Sequence, residues 1–285
     1  MKYAVSTYSF FQLISKGKMT QLDCISKAKE LGFDGIEIAL LDDDLPTFDE
    51  DYAKLFAEEA KKHDIVISNF VFGADFINGC EGKTQEEIKR VQKLIDIAEI
   101  LGTPCIRHDV LYSLGSFRSF ELALPTIADA CRQITEYAEK KGIRTMSENH
   151  GFISQDSVRV EKLFNTVNHK NFSLLADVGN FLCVDENPID AISRIAPYTE
   201  YVHVKDFIFR PGDEPYPGDC FITTRGANYI RGTVLGHGCV PVKQCLNILK
   251  RNGYDGFITI EYEGMEPAIE AIKLGLENLK NYIND

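Results

Sequence analysis

Eight short apolar runs alternate with amphipathic helical stretches along the 285 residues, and this alternation limits the fold more than any other feature of the chain. Residues 3–8, 35–39, 65–71, 104–108, 143–148, 172–177, 201–206 and 257–262 read as strands. Between them, spacings such as Leu22, Ile25, Ala28 and Leu31 gather apolar side chains on one helical face. Gly32 ends that first helix, residues 50–63 form the next, and Thr84-Gln-Glu-Glu87 has the form of a capping box opening a helix that runs to Gly102. Pro125 marks a start or a kink within the stretch 117–141. Strand–helix alternation calls for a parallel sheet. Equal numbers at this length favour a closed (β/α)8 TIM barrel, an α/β fold, as a single domain over residues 1–285. An open doubly wound sheet is the alternative, but no G-x-G-x-x-G follows the first strand. Two matching turns support a repeated unit: Gly32-Phe-Asp-Gly-Ile-Glu37, and Gly253-Tyr-Asp-Gly-Phe-Ile-Thr-Ile-Glu261.

The last four strands carry residues that bind metals. Successive strand side chains alternate faces, so Tyr201, His203 and Lys205 share one side while Val202 and Val204 share the other. The neighbouring runs end in Glu148, Asp177 and Glu261, each followed by a polar, Gly-containing turn. Active sites of such barrels lie at the C-terminal strand ends, so these four residues would form an arc around half the mouth. Any one of the acids alone could be a solvated strand end. Together, Glu148, Asp177, His203 and Glu261 read as ligands of one divalent metal ion: three carboxylates and an imidazole suit Mn2+, Mg2+, Co2+ or Zn2+.

Composition narrows the partners. With 31 Lys and Arg against 43 Asp and Glu, the chain is poorly matched to nucleic acid. Eight scattered cysteines without a C-x-x-C pair, no secretory leader and no bilayer-length apolar run point to a cytoplasmic protein with no membrane contact. The stretch 210–238, rich in Gly, Pro, Asp and Arg, has the length of a functional lid after strand seven.

Glu148-Asn-His-Gly, Asp177-Val-Gly-Asn-Phe, His203-Val-Lys-Asp, Gly236-His-Gly and Gly253-Tyr-Asp-Gly-Phe-Ile-Thr-Ile-Glu-Tyr-Glu-Gly264, taken in order, resemble the sugar phosphate isomerase/epimerase family with the xylose-isomerase-like barrel. That family includes ketose 3-epimerases, inosose dehydratases and endonuclease IV-type enzymes. The resemblance implies a metal on the same four residues, with Glu148 and Glu261 doubling as acid and base. The expected activity is a metal-dependent isomerase or epimerase of a sugar or sugar-like polyol, abstracting a proton next to a carbonyl through a metal-stabilised enediolate. The alternative is a dehydratase acting on an inosose or keto-sugar at the same site. His203-x-Lys205-Asp206 is similar to the inosose dehydratase branch, where a lysine could protonate a leaving hydroxyl, so Lys205 joins the catalytic candidates. Ketose 3-epimerases often carry a histidine soon after the strand-six aspartate, where this chain has Gly179-Asn180. A nuclease would want more histidines than six and a basic groove.

The expected substrate is a small carbohydrate, and barrels of this kind often pair as homodimers. Glu37, His150, Asn180, His108 and Arg210 are the substrate-contact candidates. Glu37 points into the barrel and should pair with a lysine, an arginine or a substrate hydroxyl. Alternation leaves the direction of His108 open. Arg210, with Arg225 and Arg231, either grips a phosphate or carboxylate from the long segment or is solvated.

Overall fold

Apolar side chains on alternate strand positions decide which face meets the helices, and the strands close on themselves as a result. The computed structural model describes residues 1–40 and 48–284. Its strands, in chain order, are β1 (Lys2–Ser6), β2 (Gly35–Ala39), β3 (Val66–Phe72), β4 (Cys105–His108), β5 (Arg144–Glu148), β6 (Phe172–Asp177), β7 (Thr199–Val204), β8 (Asp206–Arg210), β9 (Ile222–Thr223), β10 (Tyr229–Thr233) and β11 (Phe257–Ile260). β1 to β7 and β11 form the closed barrel in the order β1-β11-β7-β6-β5-β4-β3-β2, all parallel. This is the expected TIM barrel.

Helices cover the outside, among them Asp23–Leu31, Glu50–Lys62, Thr84–Leu101, Phe120–Glu139, Ser157–Val167, Val242–Arg251 and Ala268–Asn284. Gly32, at φ 89°, ends the first of these because a left-handed residue there is free of a Cβ clash. Asp49 and Asp156 cap their helices by accepting from Tyr52 N and Arg159 N. Ile25, Phe56, Ile95 and Ile106 are fully buried between helices and barrel, and removing a ring such as Phe56 would cost about 3–5 kcal/mol.

Inside the barrel, Cys105, Met146, Leu175 and Tyr201 form a separate apolar layer. The Tyr201 hydroxyl lies 2.7 Å from both Ser68 Oγ and Thr259 Oγ1, which satisfies a buried polar tip. The β2–β3 register shifts after Ile36, so that Glu37 pairs with Asn69. An extra residue in one strand of a pair re-aims the side chains beyond it. Here it brings Asn69 Nδ2 to 3.0 Å from Glu37 Oε2.

Three expectations change. The first strand stops at Ser6, and Thr7–Phe10 turn into a 3-10 helix that Ser6 caps. Thr84 and Glu87 make no capping box: Thr84 Oγ1 donates to Phe76 O, while Glu87 pairs with Arg90 and accepts from Asp75 N. The side chains turn back onto the loop in front of the helix instead of closing on its first turn. The segment 210–238 is not irregular throughout, because β8, β10 and β9 form an antiparallel sheet in that order. Asp206 holds its far end by accepting from Gly236 N, Gly238 N and Val240 N, and Arg225 holds its turn against Asp156 at 3.0 Å.

Candidate metal centre

Glu148, Asp177, His203 and Glu261 come together at the C-terminal mouth of the barrel, with one ligand atom of each within 4.8 Å of the others. The strand register explains this. Asp177 and His203 are directly paired neighbours on β6 and β7, Thr259 on β11 pairs with His203, and Glu261 follows two residues later. His203 Nδ1 lies 3.9 Å from Glu148 Oε1, 3.9 Å from Asp177 Oδ2 and 3.8 Å from Glu261 Oε1. Atoms bound to one ion at about 2.0–2.3 Å are separated by distances of this order.

The hydrogen bonds leave the right atoms bare. His203 Nε2 sits 2.7 Å from Glu37 Oε2, so a proton on Nε2 is held there and the Nδ1 lone pair faces the three carboxylates. Asp177 Oδ1 accepts from Gly179 N at 2.7 Å and Asn180 N at 3.0 Å, which leaves Oδ2 turned inward. His203 Nδ1 is buried without a hydrogen-bond partner, an expensive arrangement unless a cation satisfies it, and Asp177 Oδ2 beside it is met only by the Lys205 ammonium at 3.1 Å. The donor set and this orphaned nitrogen fit a divalent ion. Burial opposes the charged imidazole, but Glu37 and Glu261 outweigh it and raise the His203 pKa to about 10. A divalent ion competes with that proton.

Two cations flank the cluster. Arg107 Nε reaches Glu148 Oε2 at 2.5 Å, and the other end of its guanidinium grips Asp109 at 2.9 and 3.2 Å. Lys205 Nζ contacts Glu261 Oε2, Asp177 Oδ2 at 3.1 Å and Glu263 Oε1 at 2.6 Å. Each terminal carboxylate therefore puts one oxygen in the cluster and gives the other to a cation. Their protonation differs accordingly. Burial raises the pKa of Glu148 despite Arg107 and His203, whereas Lys205 and His203 overcome burial and lower Glu261 to about 2. Asp109 falls well below the ordinary range, because Arg107 and His150 outweigh its burial.

A cavity of about 390 Å3 opens over this cluster, bordered by Glu148, Glu261, Lys205 and Glu263 on one side and by Tyr8, Phe11, Leu40 and Phe72 on the other. His150 borders it too, with Nδ1 2.8 Å from Asp109 Oδ1. Asn180 stands behind Glu148 and donates from Nδ2 to Oε1 at 2.8 Å. Glu37 does not reach the cavity, and its partners are His203 and Asn69 rather than a lysine or an arginine. His108 is outside the site: it packs edge-on to Phe76 in the helix layer, with Nδ1 2.8 Å from Asp109 O. Arg210 is exposed at the end of β8, away from the cavity. None of the described residues of the segment 210–238 borders the cavity.

Arg107, Asp109, Tyr112 and Glu263 went unnoticed in the sequence. Strand parity held the signal for one of them. Cys105 belongs to the interior layer, so Arg107 must share its face and His108 must turn outward.

The inosose dehydratase of Clostridium beijerinckii is 30% identical over 144 residues, which cover 50% of this chain and 48% of that protein. The chain thus spans about half the length of this curated relative. The solved structure of IolI protein with a bound zinc atom superposes with a TM-score of 0.77 at 20% identity, covering 99% of this chain and 98% of that one. D-psicose 3-epimerase in the presence of D-fructose gives a TM-score of 0.75 at 14% identity over the full length of both chains. At such identities the two structures speak for the fold alone. Residues 25–282, nearly the whole chain, match one family, and this protein belongs to it: the xylose isomerase-like TIM barrel.

Proposed function

We propose that this protein is a divalent-metal-dependent isomerase or epimerase of an uncharged sugar or sugar-like polyol, moving a proton on a carbon next to a carbonyl. The observation that carries the proposal is the buried His203 Nδ1, without a hydrogen-bond partner and facing Asp177, Glu148 and Glu261 directly beneath an open cavity. A divalent cation on these four residues supplies Lewis-acid polarisation of a carbonyl and its neighbouring hydroxyl. Glu148 and Glu261 enter the cavity from β5 and from the end of β11, so one can take a proton from carbon while the other returns one from the opposite side. Arg107 and Lys205 hold the second oxygens of these carboxylates and fix their direction. His150, held by Asp109, is placed to bind a hydroxyl.

The charge inventory favours an uncharged substrate. Both cations bordering the cavity are already matched, Arg107 by Glu148 and Asp109, Lys205 by Asp177, Glu261 and Glu263. A phosphate would find no spare partner among them. Eight unpaired cysteines fit a reducing compartment such as the cytoplasm, and no helix among the described residues is long and apolar enough to cross a membrane.

A second reading, dehydration of an inosose or keto-sugar, draws on the inosose dehydratase relative and on Lys205. Its ammonium borders the cavity beside Glu261, where it could protonate a departing hydroxyl. Incubating the Mn2+-loaded protein with keto-sugars and inososes in D2O separates the two. Deuterium in a recovered isomer supports proton transfer, a new enone absorbance supports water loss, and neither with any of these substrates overturns both.

A further inference from the structure

Lys205 faces more negative charge than it can answer. Its ammonium contacts three carboxylates: Asp177 Oδ2 at 3.1 Å, Glu261 Oε2, and Glu263 Oε1 at 2.6 Å. Two of these belong to the four-residue cluster and the third does not. Glu261 turns Oε1 toward His203 and Oε2 toward Lys205, so lysine and ion take different oxygens of that carboxylate. Asp177 cannot divide itself in this way, because Oδ1 is committed to Gly179 N and Asn180 N. Its Oδ2, facing His203, is therefore claimed by both the ammonium and the ion. We propose that Glu263 is a positioning residue that gives the Lys205 ammonium a seat outside the cluster, so that a divalent ion takes Asp177 Oδ2 while Lys205 keeps Glu261 Oε2 and Glu263 Oε1. The proposal rests on reading the cluster as a metal centre.

The fold prepares both members of this pair. Ile260 pairs with Val204 and Glu261 N donates to Val204 O at 3.1 Å, which sets Lys205 and Glu261 side by side on adjoining strand ends. Glu263 follows two residues later, and its neighbours pin the backbone on either side: Tyr262 N donates to Ser9 Oγ at 2.9 Å, and Gly264 O accepts from Gln12 Nε2 at 2.6 Å. Gly232 on β10 lets that backbone pack close, since a Cβ there would fall 2.5 Å from Glu263 O. Gly179 does the same for the lysine stem, because a Cβ there would clash with Lys205 Cγ.

Charge sets the direction of the shift. With the stem confined, the freedom of Lys205 lies at its ammonium, between Asp177, whose side chain is fully buried, and Glu263, 27% exposed at the border of the cavity. A divalent ion on Asp177 repels the ammonium, and in a buried site that repulsion is weakly screened. Of the carboxylates in contact with Lys205, Glu263 is the one outside the ligand set, so the ammonium settles there. Without the Glu263 charge, Lys205 stays on Asp177 and the ion has to displace it.

Competition for Mn2+ between the full chain and a chromogenic chelator tests this, with urea unfolding of the metal-stripped protein followed in parallel. Glu263→Gln should weaken Mn2+ binding about 10–100-fold, the range for a residue that acts through its neighbour on a ligand. Glu263→Asp keeps the charge but withdraws it by one methylene, and should weaken binding at least about threefold. The urea midpoint should stay in place in both variants. In a Lys205→Met background, Glu263→Gln should cost less than about threefold, because the ammonium that it positions is gone. Lys205→Gln replaces Lys205→Met in that cycle if the latter does not fold. Wild-type affinity in Glu263→Asp, or equal losses in both backgrounds, would mean that Glu263 acts by its charge alone and overturns the proposal. Unchanged or tighter binding in Glu263→Gln overturns it too, as does a urea midpoint that falls along with the affinity. The expected losses without deuterium exchange into any keto-sugar by the wild type support the positioning role while overturning the isomerase reading. No Mn2+ binding by the wild type overturns the metal centre and this proposal together.

Discussion

From β5 round to β11 the strand ends carry Glu148, Asp177, His203 and Glu261; from β1 round to β3 the cavity is bordered by Tyr8, Phe11, Ala39, Leu40, Val71 and Phe72. One arc is almost entirely ionisable and the other almost entirely apolar. Buried charges survive only with partners, and the charged arc borrows one from across the barrel and one from the strand beside it. Glu37 on β2 holds His203, and Arg107 on β4 holds Glu148. The apolar arc needs no such matching, so it is free to set the shape of the ligand. Chemistry and shape are thus divided between the two arcs, with Glu37 and Arg107 joining them.

The largest expected effect lies in the charged arc. Glu148→Gln or Glu261→Gln should lower solvent-deuterium exchange by about 10^2–10^4-fold, the range for loss of a general acid or base, as NMR of the recovered sugar would measure. Retained exchange in either variant would end the two-carboxylate reading.

Next comes a stability effect from the reverse face of β4. Burial lowers the His108 pKa from 6.5 to about 4, so between those values the unfolded chain takes up a proton that the folded chain refuses. Stability is therefore full above pH 6.5 and falls by about 3 kcal/mol as the pH drops to 4. Urea titrations across this window should show the loss, and His108→Phe should remove it. An unchanged pH profile in the variant would mean that His108 is not the titrating group.

A smaller effect sharpens the link between the arcs. Glu37→Gln should weaken metal binding about 10–100-fold by releasing the orientation of His203, measured by competition with a chelator. Full affinity in that variant would show that Glu37 is not needed to hold the imidazole. Smallest of all, Arg210→Ala should change stability by less than about 0.5 kcal/mol and leave exchange unaltered, since Arg210 is exposed and away from the cavity. A measurable loss of exchange would return the segment 210–238 to the active site.

The ligand set was legible because period-two alternation and strand ends are local properties: Glu148, Asp177 and Glu261 each close an apolar run, and His203 alternates with Val202 and Val204 near the end of another. Arg107 and His108 show where such reading stops. Two polar residues in succession on a four-residue strand carry opposite fates, and only the packing of Cys105 inside and Phe76 outside separates them. Glu263 was hidden for a different reason. It lies past the end of β11, where no periodicity applies, and its partner Lys205 comes from the junction between β7 and β8.

The amino-acid order alone determined the barrel, its register of apolar faces and the four residues suited to a metal, because these follow from spacing along the chain. Tertiary structure decided which polar groups stand behind those four, which way Glu37 and His108 serve, and that the cavity opens toward β1–β4 rather than toward the segment after β7. Those outcomes depend on contacts between residues far apart in the chain, as Tyr262 and Ser9 are at 253 positions, and closure of the barrel brings them together where no local pattern announces it.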